Sequence, residues 1–325
     1  MTLRRRPARV GRPLAAGTAA ALLALVAGCG GEAPAPGPST PGTATPETSP
    51  TSPTSSDPTT TGGAAEPGGP ATAATATGEP LVHLAVGDSL TTGFASCAAV
   101  FVCQGASWAI GTDPAIDSLD TRLGEAGWAV TAVPAAREGA RMADARPLVD
   151  AAFEAPGAPG AADVDLVTVL LGANDVCAPD VAAMTSTADY TAQLDALLSD
   201  LATRAPDAAV VLASIPAVTS VWDAANDDPE ARAVWDNGLC ATVLGGDDTA
   251  RAAAAQRLVE LDEAATATCQ QHPACRTDDG AVAAVALTPA WLSDVDHFHP
   301  SPLGQAALAE AVWPAVDEAL AQRGE

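Results

Sequence analysis

The sequence predicts an α/β domain built on a mostly parallel five-stranded sheet. Three observations carry this expectation. Apolar runs of strand length occur at 81–86, 128–133, 166–171, 209–215 and 281–287. Ala-rich stretches of helical length separate them, and strand alternating with helix is the pattern of parallel βα units. The runs at 166–171 and 209–215 are almost continuously apolar, as central strands covered on both faces require.

Taken in order, the run at 81–86 predicts the first strand, and it leads directly into Gly87-Asp88-Ser89-Leu90. Helix is expected over about 107–125, then the second strand at 128–133 and a helix over 140–153. The third strand, 166–171, ends at Gly172-Ala173-Asn174-Asp175. A helix over 187–204, a fourth strand at 209–215, a helix over 249–268 and a fifth strand at 281–287 follow, whereas 217–248 carries no readable code. The last helix starts after Pro300. Ser301 suits its N-cap, and Pro302 falls in the first turn, where a missing N–H costs nothing. Leu308, Val312, Val316 and Leu320 then recur every four residues along one face.

The first eighty residues have a different texture. Arg4, Arg5, Arg6, Arg9 and Arg12 precede an Ala/Leu/Val-rich run ending in Leu25-Val26-Ala27-Gly28-Cys29, the pattern of an export signal. Small residues before a cysteine resemble the lipobox of bacterial lipoproteins, which implies a signal peptide over 1–28 and lipidation of Cys29. From there to residue 79 the chain is Pro, Thr, Ser, Gly and Ala with almost no large apolar side chain, so a disordered linker is expected over 29–79 and the folded domain over 80–325. An extended tether of that length reaches on the order of 150 Å.

Lysine is absent and the formal charge is −25, becoming −30 once the five leader arginines are lost. The acids are spread along the domain as a solvated surface, and such a charge argues against nucleic acid as a partner. With Cys29 set aside, Cys97, Cys103, Cys177, Cys240, Cys269 and Cys275 form an even set in an exported chain, which is the signature of disulfides. Six-residue spacing makes Cys97/Cys103 and Cys269/Cys275 natural local loops and leaves Cys177 to Cys240, although six cysteines allow fifteen pairings. A metal site is the competing reading of these cysteines, but there is no Cys-x-x-Cys and no histidine at ligand spacing from a cysteine pair.

In open parallel sheets ligands bind beyond the carboxyl ends of the strands, and the polar clusters of this chain fall there. A serine hydroxyl needs a neighbouring base to take its proton. Of the four histidines, His83 lies within a strand and reads as structural, and His272 lies between Cys269 and Cys275 in an expected surface loop. His299 stands three residues after Asp296, so one turn brings a carboxylate to Nδ1–H while Nε2 faces a serine. Asp294 orienting His297 remains the alternative. Asp88 adjoins Ser89 and is expected to hold the turn rather than serve the base. Read alone, Asn174 is a turn residue and Gly139 part of a helix start. The Gly-x-Ser-x-Gly elbow is absent, since Thr91 occupies its last position.

Together, Gly87-Asp88-Ser89-Leu90, Glu138-Gly139-Ala140, Gly172-Ala173-Asn174-Asp175 and Asp296-His297-Phe298-His299-Pro300 resemble, in identity and order, the blocks of the GDSL (SGNH) hydrolase family. The resemblance spans residues 81–305. It implies a three-layer α/β/α SGNH-hydrolase (flavodoxin-like) fold and a serine esterase or lipase cleaving carboxylic esters without metal or organic cofactor. It also implies Ser89 as nucleophile, His299 as base, Asp296 as its orienting acid, and an oxyanion hole of the Ser89 and Gly139 N–H groups and the Asn174 amide. A closer likeness is to extracellular actinobacterial members, which carry similar cysteine pairs and a tryptophan where Trp108 stands, although a buried packing tryptophan is the simpler account.

The expected substrate is a small-molecule, lipid or acylated-glycan ester. The expected address is the cell envelope, with a monomer anchored through Cys29 to the outer face of the bacterial plasma membrane. Three competing functions remain: a carbohydrate O-acetylesterase using the same site, a binding module presented at the envelope, and a metal hydrolase using Asp294, Asp296, His297 and His299. Four ligands within six consecutive residues rarely converge on one ion.

Overall fold

A computed structural model of the protein describes residues 78–323. The signal peptide, the lipidation at Cys29 and the linker up to residue 77 lie outside the described residues. Five strands, β1 (Glu79–Gly87), β2 (Trp128–Ala136), β3 (Leu166–Leu170), β4 (Ala209–Leu212) and β5 (Cys275–Thr277), form one sheet in the order β2-β1-β3-β4-β5. Every neighbouring pair is parallel. β1 begins at Glu79, the last residue read as linker.

The helices are α1 (Leu119–Glu125), α2 (Ala145–Glu154), α3 (Ala173–Val176), α4 (Thr187–Arg204), α5 (Ser220–Ala225), α6 (Pro229–Trp235), α7 (Asp248–Cys269) and α8 (Pro302–Arg323). Side chains alternate across each strand, and in the inner strands β1, β3 and β4 both sides are buried, whereas the edge strands β2 and β5 are only partly covered. Leu84, Val86, Val167, Val169, Val210 and Leu212 point to one face, where α2, α4 and α7 pack. Leu81, Ala85, Leu166, Leu170, Ala209 and Val211 point to the other, against α1 and α8. The result is a three-layer α/β/α domain, with the near-continuous apolar runs explained by burial on both sides. Polar caps start the helices: Ser118 accepts from Thr121 N–H, Ser186 from Asp189 N–H, Asp247 from Ala250 N–H, and Ser301 from Gly304 N–H.

Three expectations about elements are corrected. The fifth strand is 275–277, not 281–287. The Asp278 carboxylate ends the strand by accepting from the N–H groups of Ser214, Gly280 and Val282 and the Ser214 hydroxyl. The apolar run beyond it is irregular, and buries Val282 beneath α8 without joining the ladder. Of the helix expected over 107–125 only 119–125 forms, because Gly111, Pro114 and a left-handed Asp117 (φ 50°) interrupt it. The segment 217–248 contains α5 and α6, too short for periodicity to reveal.

The cysteines pair as Cys97–Cys103, Cys177–Cys240 and Cys269–Cys275. His83 is fully buried, with Nδ1 2.6 Å from Asp120 and Nε2 2.8 Å from Thr168, a satisfied core histidine. His272 departs from the exposed-loop expectation: it is largely covered, and its Nε2 lies 2.9 Å from Asp195 on α4. Trp108 is completely buried and donates from Nε1 to Thr91.

Candidate active site

The chain enters the sheet at β1, moves out to β2 and then crosses back to β3, so the strand order reverses between β1 and β3. Loops leaving these two strands diverge and open a crevice at their carboxyl ends. Ser89 follows β1 and Asn174 follows β3, one on each side of that switch.

Gly87 ends β1 where a Cβ would overlap the Thr91 side chain. That absence of a side chain lets the backbone turn tightly. Asp88 C=O accepts from the N–H groups of Thr91 and Thr92 (both 3.1 Å), and the Asp88 carboxylate accepts from Leu90 N–H (2.9 Å). Ser89 sits at the head of this turn.

The loop before α8 carries Asp296 and His299. Asp296 Oδ1 accepts from the N–H groups of Phe298 and His299, both 3.0 Å, closing the loop on its own carboxylate. His297 adopts a left-handed φ of 54°, which permits so short a reversal. Ser293 N–H donates to His299 C=O and Ser301 N–H to Trp291 C=O, both 2.7 Å, so the loop base is pinned as well. Asp296 Oδ2 then lies 2.6 Å from His299 Nδ1, and His299 Nε2 lies 2.9 Å from Ser89 Oγ. All three residues are buried, and the rings of Phe94 and Phe298 meet the imidazole edge-on, each with centroids 5.0 Å away.

The electrostatics of this relay follow from its contacts. Burial by itself would raise the Asp296 pKa. The hydrogen bond and charge of His299, with the two backbone N–H groups, outweigh it and hold the carboxyl below its ordinary 3.8. A carboxylate thus faces Nδ1, fixing that nitrogen as the protonated one and leaving Nε2 to accept from the serine. Asp294 is exposed and stands apart from the relay, as does His297. Among the described residues no group of three or more His, Cys, Asp or Glu side chains is arranged to hold a metal ion.

Opposite the relay, the Asn174 amide nitrogen donates to Asp88 Oδ2 (3.1 Å) and to Ala140 C=O (3.0 Å). Both its hydrogens are engaged in this geometry, so donation to a third acceptor requires one bond to open or be shared. Gly139, beside Ala140, has a left-handed φ of 71° suited to glycine.

Two buried acids lie beneath these groups: Asp88 holds the serine turn, as its place next to Ser89 leads one to expect, whereas no sequence pattern marks the role of Asp175. Asp88 is pushed up to about 7 by burial, against the pull of Leu90 N–H, His299 and Asn174. Asp175 is also raised by burial, and its Oδ2 accepts from Met142 N–H at 3.0 Å, tying the Gly139 loop to α3. Gln305 of α8, fully buried, donates to Leu90 C=O and Ser96 Oγ and accepts from Trp108 N–H. It braces the serine turn, and no sequence pattern marks it. An apolar recess opens beside His299, walled by Leu90, Val218, Val285, Leu287, Trp291 and Phe298.

Comparison with known proteins places residues 85–307 in a match to the GDSL-like lipase/acylhydrolase family. No curated protein gave a significant match. Among similar solved structures, the extracellular lipase from Streptomyces rimosus is 18% identical with a TM-score of 0.46, over 74% of this chain and 99% of that one. Phospholipase A1 from Streptomyces albidoflavus NA297 is 20% identical with a TM-score of 0.44, over 73% and 98%. A psychrotrophic esterase from Pseudoalteromonas sp. is 16% identical with a TM-score of 0.43, over 73% and 97%.

Proposed function

Since the chain belongs to the GDSL-like lipase/acylhydrolase family and is a carboxylic ester hydrolase, we propose that it acts through an acyl-enzyme on Ser89, with His299 as base and Asp296 as the group that orients it. The observation that carries this is the continuous relay from Asp296 through the imidazole to Ser89 Oγ, at 2.6 and 2.9 Å. In the first half-reaction Ser89 Oγ attacks the ester carbonyl carbon while its proton passes to His299 Nε2. The tetrahedral intermediate collapses, the alcohol leaves with the proton from Nε2, and the acyl group stays on Ser89. Water then attacks the acyl carbon, giving its proton to Nε2, and collapse returns that proton to Ser89 as the carboxylic acid departs.

The developing oxyanion is received by the N–H groups of Ser89 and Gly139 and by the Asn174 amide, which exchanges one of its two resting contacts for the oxyanion. A donor of this kind is worth about 2.7–4 kcal/mol of barrier. The apolar recess beside His299 supports an ester with an apolar portion as substrate, and a panel comparing lipid esters with O-acetylated glycans ranks the candidates. The decisive test is Ser89→Ala. Hydrolysis of a short aryl ester and covalent labelling by a fluorophosphonate are both expected to vanish, and persistence of either removes Ser89 from the role.

The protein is further proposed to be exported, cleaved after Gly28, lipidated at Cys29 and held at the outer face of the plasma membrane by the 29–79 linker. The pairing of all six cysteines of the domain supports an oxidising compartment. Cys29→Ser is expected to release the protein from the membrane fraction, and unchanged fractionation would refute the anchor.

A further inference from the structure

Six large apolar side chains are exposed among the described residues, and three of them, Val100, Phe101 and Val102, are consecutive at 60%, 52% and 46% exposure. They form the tip of the loop closed by the Cys97–Cys103 disulfide. From residue 89 to 112 the chain contains no acidic, basic or histidine side chain, in a protein whose net charge is −25. Half of that stretch is buried in the serine turn and around Trp108. Its exposed part centres on this tip, where bulky apolar groups are held outward by a covalent bridge with no charged neighbour in sequence, an arrangement that is unfavourable in water and calls for an occupant.

The loop is fixed to the rim of the active site. Ala95 N–H donates to Phe101 C=O (3.0 Å), and the Phe94 ring packs on His299. Ser96 Oγ donates to Pro300 C=O (2.8 Å) and receives Gln305 Nε2 (3.0 Å). Val102 borders a groove shared with Thr92, Arg137 and Glu138, next to the Gly139 turn. Whatever covers the tip is therefore brought to the mouth of the crevice that holds Ser89.

We propose that the Val100–Val102 tip docks the domain on the surface of an uncharged lipid aggregate, so that esters within that surface are presented to Ser89. The patch is far smaller than the roughly 800 Å² per partner of a stable protein interface. A lipid surface needs no matching shape, and binding to an uncharged one grows with the apolar area buried in it. The strong negative charge of the protein directs it to neutral or zwitterionic lipid, since anionic headgroups repel it. The proposal rests on the ester-hydrolase reading for its purpose, but the docking itself is measured without turnover.

The mature chain from residue 29 on, carrying Cys29→Ser so that neither a lipid anchor nor the apolar run before it contributes, is sedimented with phosphatidylcholine vesicles. Binding is expected, weakening when phosphatidylglycerol replaces phosphatidylcholine. Val100→Ser/Phe101→Ser is expected to lower the partition coefficient at least tenfold while hydrolysis of a water-soluble short aryl ester stays within twofold. Ser89→Ala is expected to keep vesicle binding, so failure of the nucleophile assignment and failure of docking are read separately. Absence of binding by the parent, an unchanged partition in the double variant, or an equal loss of soluble-ester hydrolysis would each overturn the proposal. A dimer in sedimentation velocity that the double variant abolishes would assign the patch to a second copy and overturn it too.

Discussion

Asp88→Asn isolates the energetic consequence of placing a carboxyl beneath the Ser89 turn. The Asp88 side chain is buried, with Oδ1 on Leu90 N–H and Oδ2 on the Asn174 amide, and burial lifts its pKa from 3.8 to about 7. The folded-state value lies above the unfolded one, so the unfolded chain releases this proton first as pH rises. The associated stability is fully present below about pH 4, declines between there and about 7, and is gone above. A shift of about three units corresponds to about 4 kcal/mol in total, of which about 3 kcal/mol falls between about pH 4.5 and about pH 8. Asparagine has no proton to lose, so the variant lacks this slope, while its amide forces Asn174 to turn and costs a hydrogen bond of about 1 kcal/mol. Urea unfolding of both proteins with disulfides intact measures the difference at each pH, with the contributions of other acids largely common to the two. The advantage of the parent should shrink, and reverse sign, as pH rises. Parallel stability curves would show that Asp88 does not carry a raised pKa and would refute the reasoning.

Other substitutions test the remaining assignments. Asp296→Asn should lower kcat by about 10⁴-fold with the fold retained, as loss of the orienting carboxylate does in serine hydrolases; a loss below tenfold in steady-state kinetics would remove Asp296 from that role. Asp175→Asn weakens the tie to Met142 N–H and should reduce kcat by about 10²-fold with KM little changed, since small displacements of a catalytic donor have effects of that size; unchanged kcat would make it merely structural. Replacing Cys177 and Cys240 by Ala should cost about 4 kcal/mol by chain-entropy reasoning, against about 2 kcal/mol for Cys269 and Cys275. The sequence separations are 63 and 6, and equal urea midpoints for the two double variants would contradict this ranking.

Legibility followed burial and spacing. β1, β3 and β4 are legible as apolar runs covered on both faces, a signal that survives without knowledge of neighbours, and β2 as an apolar run on a partly exposed edge. Apolar spacing points to 281–287 for the fifth strand rather than to β5 because Cys275-Arg276-Thr277 is a short half-buried edge with no apolar signature, whereas 281–287 is apolar for a different reason, lining the recess beside His299. The covering of His272 is not legible in the sequence, since its partner, Asp195, lies 77 residues away on another helix.

The sequence alone determined the chemistry-bearing blocks, their order and the alternation of strand and helix, because those are encoded in local spacing and composition. Tertiary structure decided what local spacing cannot encode. It placed Ser89 beside an imidazole 210 positions away and committed the Asn174 amide to Asp88 and Ala140. It also buried two acids beneath the site and left Val100, Phe101 and Val102 facing outward at its rim. The physical reason is common to these cases: each depends on distance through space and on desolvation, and both arise only when the sheet brings the loops of β1 and β3 together with the segment before α8.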